Sequence, residues 1–155
     1  MNKSILFFSL AACILNGCSQ QTAATQKLDE KAVQVGIMAM NWPKTVTANS
    51  DFLVNVKIIN VGQLPIPALG KDGELLKVGI TYHWRTADDK VVVWDGLVTP
   101  LKSDLKISAE EKIEMTVKSP TNPGIYILEI DLMQNSAFWF AGVGSQTARM
   151  QMTIN

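Results

Sequence analysis

From Ala32 onward, apolar residues fall in short runs that alternate with polar ones, separated by clusters of Gly, Pro, Asn and Asp. Alternation with a period of two sends successive side chains to opposite faces, the pattern of a half-buried strand. It predicts strands over residues 33–40, 52–59, 76–84, 91–94, 112–118, 125–133, 137–140 and 147–154, with breaks at Asn41-Trp42-Pro43, Asn60-Val61-Gly62, Asp88-Asp89-Lys90 and residues 120–124. No stretch carries a helical period. Seven to eight short strands at this spacing predict an all-β chain, an immunoglobulin- or fibronectin-III-like β-sandwich spanning residues 32–155.

The alternation also assigns faces. Phe52, Val54, Val56 and Ile58 share one side of the second strand, with Asn55 and Lys57 opposite. Val78, Ile80, Tyr82 and Trp84 share one side of the third, leaving Thr81, His83 and Arg85 on the other. Ile113, Met115 and Val117 repeat the pattern with Glu114 and Thr116 outward. The apolar rows are expected to face each other, with Trp84 as the buried indole of a sandwich core that has no disulfide beside it. In Pro123-Gly124-Ile125-Tyr126 a turn delivers a tyrosine near the start of a long strand. That is the setting of a tyrosine corner, whose hydroxyl returns to nearby backbone; an ordinary core aromatic is the alternative.

Ahead of the strands, Lys3 precedes an apolar run from Ile5 to Leu15, too short to span a bilayer and suited to a secretory signal over residues 1–17. Leu15-Asn16-Gly17-Cys18 resembles the lipobox of bacterial lipoproteins, with Asn16 as its one mild departure. The resemblance implies that Cys18 is diacylated and becomes the first residue of the mature chain. Two or more acyl chains hold a soluble domain stably at a membrane, where one does so only marginally. Ser19 follows the cysteine, and the likeness to enterobacterial lipoproteins implies an outer-membrane destination, facing the periplasm or the cell surface. Residues 18–31 read as a flexible polar tether. Cys13 leaves with the signal, so the mature chain is expected to have neither disulfide nor free thiol. Its fold must then rest on its hydrophobic core, which about 138 residues supply in one domain.

Charge narrows the partners. The chain has 14 basic and 14 acidic residues, with no long block of either sign. Nucleic acid and anionic lipid surfaces are not expected as partners, because both call for a clustered basic footprint.

The runs Val78-Gly79-Ile80-Thr81-Tyr82-His83-Trp84, Val91-Val92-Val93-Trp94-Asp95-Gly96 through Thr99-Pro100-Leu101, Asn122-Pro123-Gly124-Ile125-Tyr126 through Asp131-Leu132-Met133-Gln134, and Ala137-Phe138-Trp139-Phe140 together resemble the immunoglobulin-like accessory domains of bacterial glycosyltransferases and other sugar-handling proteins. The resemblance covers about the second half of the domain and implies fold more than activity. A weaker likeness, over residues 52–67, is to the opening strands of exported bacterial adhesion-type sandwiches.

Chemistry is sparse. His83 is the only histidine, so any catalytic triad would have to use it, and its place on an outward strand face reads as solvated. Glu129 and Asp131 share a face at i and i+2 and read as a solvated or lysine-paired pair. Met38 and Met40 share a strand face without the histidines that would make them metal ligands. No catalytic residue, metal or cofactor is expected, and the chain is read as not an enzyme. The aromatics offer the recognition surface. Trp139 must point opposite to Phe138 and Phe140, Trp94 sits at another strand end, and Asp95, Gln134 and Asn135 would set polar groups beside an exposed ring. The bland alternative is that Trp139 caps the core. Two functions follow: a non-catalytic module docking to an envelope protein through a sheet edge or the Trp139 end, or a module binding a cell-surface or cell-wall glycan.

Overall fold

The structure, a computed structural model, describes residues 27–68 and 75–155. Cys18, the signal segment and most of the tether lie outside the described residues. Among the described residues ten strands form: β1 (Val35–Asn41), β2 (Thr45–Val46), β3 (Asp51–Asn60), β4 (Val78–Thr86), β5 (Val91–Val93), β6 (Thr99–Pro100), β7 (Glu110–Lys118), β8 (Gly124–Gln134), β9 (Phe138–Trp139) and β10 (Ala148–Ile154). A 3-10 turn covers Ala141–Val143. All eight predicted strands are present. The two unforeseen ones, β2 and β6, are two residues long and exist only through long-range pairing.

The strands make two sheets. One runs β1-β3-β7; the other runs β2-β10-β8-β4-β5, with β6 also on β4 and β9 on β8. The N-terminal strand changes sheets, since β1 pairs antiparallel with β3 while β2 pairs parallel with the last strand, β10. This order is the immunoglobulin-like one, so the chain is an all-β sandwich of that class.

The predicted rows meet as expected. Val54, Val56 and Ile58 of β3 and Ile113, Met115 and Val117 of β7 are buried against Ile80, Tyr82 and Trp84 of β4 and Leu128, Ile130 and Leu132 of β8. Trp84 is wholly buried, its ring centroid 6.3 Å from that of Phe52 and 6.2 Å from that of Tyr126. Its indole N–H donates to the Lys118 carbonyl at 2.8 Å, while the Lys118 N–H donates to the Tyr82 hydroxyl oxygen at 2.9 Å. Two core aromatics of one sheet thus close the hydrogen bonds at the end of β7 in the other. Tyr126 donates its hydroxyl to the Asn122 carbonyl at 3.0 Å, which makes it the expected tyrosine corner.

The opposite face of β4 and β8 departs from expectation. Thr81, His83, Glu129 and Asp131 are all buried, so His83 is not solvated and the two carboxylates are not a solvent face. The polar side of this sheet lies beneath a further layer of chain.

A covered polar face as the candidate functional site

Register brings the outward residues of three strands into one row. His83 lies opposite Glu129, and Arg149 lies on the other side of Glu129; Thr81 lies opposite Asp131. The segment after β5 folds back over this row. Gly96 donates its N–H to the Tyr82 carbonyl at 3.0 Å and accepts from the Thr81 hydroxyl at 3.2 Å. A Cβ at Gly96 would sit 2.5 Å from the Tyr82 carbonyl oxygen, so only glycine lets this backbone lie flat on β4. The fold-back carries Trp94 over His83, with ring centroids 4.3 Å apart and planes 20° from parallel. From the other side β9 brings Trp139 edge-on to His83 at 4.6 Å and to Trp94 at 5.8 Å. Phe138 packs on the buried Phe140 at 5.3 Å, so Trp139 does point the other way from the phenylalanine pair.

Beneath these rings the ionisable groups are specifically held. The His83 Nδ1 bonds to the Trp94 carbonyl, an acceptor, so Nδ1 carries the proton and Nε2 is left as an acceptor. Burial lowers the His83 pKa below the usual imidazole value, against the opposing pull of the Trp94 carbonyl. Arg85 Nε donates to Glu129 at 2.5 Å, Thr147 donates its hydroxyl to the same carboxylate at 3.1 Å, and Arg149 lies 3.9 Å away. Asp131 accepts from the backbone N–H of Leu132 at 2.7 Å and from that of Ala141 at 3.1 Å, which pins the 3-10 turn to the sheet. Burial raises its pKa to about 6, Glu129 adds to the rise, and the two N–H donors oppose it.

The Asp131 shift has a stability consequence. The folded state holds this proton more tightly than the unfolded chain, so ionisation costs the fold stability, beginning as pH rises above about 4 and complete above about 6. The cost is about 3 kcal/mol. His83, with its lowered pKa, works the other way and removes stability as pH falls below its unfolded value. The two slopes overlap, so the wild-type profile alone does not separate them. Asp131→Asn does: relative to wild type it should gain about 3 kcal/mol between about pH 4 and about pH 7.5, measured by urea unfolding at both. A pH-independent difference would mean that Asp131 is not raised.

Two adjoining clefts open on this face and share Phe138 and Trp139 as a common wall. One, of about 370 Å³, is floored by His83, Glu129 and Asp131 and flanked by Arg85 and Trp94. The other, of about 460 Å³, is bounded by Asp95, Gly96, Val98 and Gln134. Trp94, Asp95 and Trp139, predicted as ligand-binding, are therefore brought together. Gln134 is buried, its amide donating to the Leu76 carbonyl at 2.5 Å and accepting from the Leu28 N–H at 3.0 Å, so it fastens the start of the domain. Asn135 lines neither cleft, and its backbone pairs with Leu76 and Lys77. His83, Arg85, Glu129 and Asp131 complete the site and were not foreseen as part of it. Their one sequence signal was the placing of two carboxylates inside the most apolar strand.

Beside the clefts, the chain along β5 and beyond is apolar and open: Val91, Val92, Trp94, Leu97 and Val98 are each 40% to 50% exposed. Among the described residues, no group of three or more His, Cys, Asp and Glu is placed to hold a metal ion.

No protein-family profile and no curated protein matches this chain. Among solved structures it is similar to the CARDB domain of the PF1109 protein from Pyrococcus furiosus, solved in complex with di-metal ions, at 13% identity and a TM-score of 0.46 over 84% of this chain and 94% of that one. It is also similar to part of a β-glucosidase from Listeria innocua in complex with glucose, at 10% identity and a TM-score of 0.48 over 79% of this chain and 16% of the enzyme. A third likeness is to the sporulation control protein Spo0M from Bacillus subtilis, at 9% identity and a TM-score of 0.48 over 80% of this chain and 49% of that one.

Proposed function

We propose that this chain is a non-catalytic binding domain of the bacterial envelope, held at the membrane through an acylated Cys18 and docking to an envelope protein. The observation that carries the docking is the open apolar edge from Val91 to Val98. β5 ends the second sheet and pairs with β4 at two positions only, across an irregularity in register. An edge strand offers unpaired backbone groups to an incoming chain, and contiguous exposed apolar side chains mark an interaction surface. The commitment of Glu129 to Arg85 and of His83 Nδ1 to the Trp94 carbonyl supports the non-catalytic reading.

The start of the domain is docked at Gln134, beside the clefts. Ten residues from Cys18 to Leu28 span at most about 36 Å fully extended. That reach supports a partner close to the bilayer.

Photo-cross-linking residues placed at Val92 and at Leu97 in intact cells should yield one and the same adduct. The exposed Lys112 on β7 should yield none. No adduct from Val92 and Leu97, or the same adduct from Lys112, would overturn docking through this edge. Cys18→Ser should abolish incorporation of labelled palmitate. Glycan binding is the second reading, favoured by the exposed Trp94 ring beside Asp95. Saturable binding on a bacterial glycan array, with a shift in tryptophan emission, would establish it in place of the first.

A further inference from the structure

We propose that the cleft walled by Trp94, Trp139 and Phe138 binds a single ammonium or guanidinium group. The inference goes beyond the docking reading and stands on separate observations. Trp94, Trp139 and Phe138 wall the cleft, and the faces of such rings are negative and attract cations. The protein already sets a cation of its own on two of these walls. Arg85 Cζ lies 5.7 Å from the Trp94 ring centroid, and Lys27 Nζ lies 5.9 Å from that of Phe138.

Charge bookkeeping decides the sign of the ligand. Arg85 is committed to Glu129 at 2.5 Å, and Lys27 to Glu30 at 2.7 Å. Arg149 bonds to Asp89 and reaches Glu129 only at 3.9 Å. Asp131, wholly buried at the cleft floor, accepts backbone N–H groups and forms no ion pair among the described residues. Its proton affinity, raised to about 6, has the same origin: a negative charge without a counter-charge. His83, almost wholly buried, adds no positive charge. Its Nδ1 is spent on the Trp94 carbonyl, and its Nε2 has no partner among the described residues, so it offers an acceptor to the cleft. An anion entering here would find its cations already paired and a carboxylate beneath it. A neutral sugar would leave that carboxylate uncompensated. A cation meets aromatic walls, an acceptor nitrogen and an unbalanced charge together.

The group has two sources: a small free amine, or a lysine or arginine side chain of a protein. The full chain, purified in a non-ionic detergent, would be titrated with cadaverine, agmatine and the blocked peptide acetyl-Gly-Lys-Gly-amide, with 1-pentanol and N-acetylglucosamine as neutral controls. The indole N–H resonances of Trp94 and Trp139 report the site, with Trp42 and Trp84 as internal controls. Saturable shifts of Trp94 and Trp139 by the cations and not by the neutral probes are expected. Tighter binding of the free amines would point to a small-molecule source, and of the peptide to a protein side chain. Asp131→Asn should weaken binding roughly tenfold. Trp94→Ala, which removes the ring and keeps the backbone carbonyl that holds His83, should weaken it roughly fivefold as read from the Trp139 resonance, with unchanged Trp42 and Trp84 resonances showing that the variant is folded. Equal shifts by the neutral probes, or amine binding unchanged in both variants, would overturn the proposal. Neither outcome bears on cross-linking through Val92, so the cleft and the docking edge fail separately.

Discussion

Trp84→Ala should lower the stability of the domain by about 3 to 5 kcal/mol. The indole is wholly buried between the sheets, in contact with Phe52 of β3 and Tyr126 of β8. Truncation removes its transfer free energy and leaves a cavity that neighbouring strands, held by their ladders, close only in part. It also leaves the Lys118 carbonyl without its 2.8 Å donor at the end of β7. Against a typical total of about 5 to 15 kcal/mol, such a loss brings the protein near its unfolding threshold. Urea unfolding followed by circular dichroism measures it, and Trp84→Phe, which keeps most of the volume, should recover more than half. A loss below about 1 kcal/mol would show that the sandwich does not depend on this residue.

Glu129→Ala should cost a similar amount, about 3 to 5 kcal/mol, for an electrostatic reason. The side chains of Glu129 and Arg85 are 9% and 18% exposed, so removing the carboxylate strands a guanidinium in a poorly solvated place. Arg149 loses a nearby anion, and the Thr147 hydroxyl loses its acceptor. The same ion pair holds Arg85 beneath Trp94, so the variant should also shift the Trp94 indole resonance. A double replacement, Glu129→Leu with Arg85→Met, separates the penalty of a stranded charge from the worth of the pair. It should restore most of the stability lost in Glu129→Ala, because apolar pairs of similar volume often match buried ion pairs. If the double variant is as unstable as the single one, packing or the Thr147 bond carries the effect.

These two residues show where reading the chain in order succeeds and where it stops. Trp84 belongs to the row Val78, Ile80, Tyr82, Trp84, and its burial follows from the alternation alone, because an apolar row this long must be covered. Tyr126 was legible for the same kind of reason: a Pro-Gly turn entering a long strand fixes where its hydroxyl reaches. Glu129 alternates just as regularly on the other side of β8, and alternation there suggested solvent. A period of two says which residues share a face; it does not say whether that face is covered. Cover came from Trp94 and Gly96, folded back over β4, and from Trp139 on β9.

The sequence by itself determined eight of the ten described strands, their inward faces, the buried Trp84 and the corner at Tyr126, because each depends on spacing within a few residues or on apolar surface leaving water. It also offered Trp94, Asp95, Gln134, Asn135 and Trp139 as a candidate recognition surface. Only the tertiary structure decided that His83, Arg85, Glu129 and Asp131 lie beneath that surface, and that the Gln134 amide is a fastening. Those placements depend on strand register and on one glycine-permitted close approach between segments far apart in the chain, contacts whose cost and reward no local pattern of residue types records.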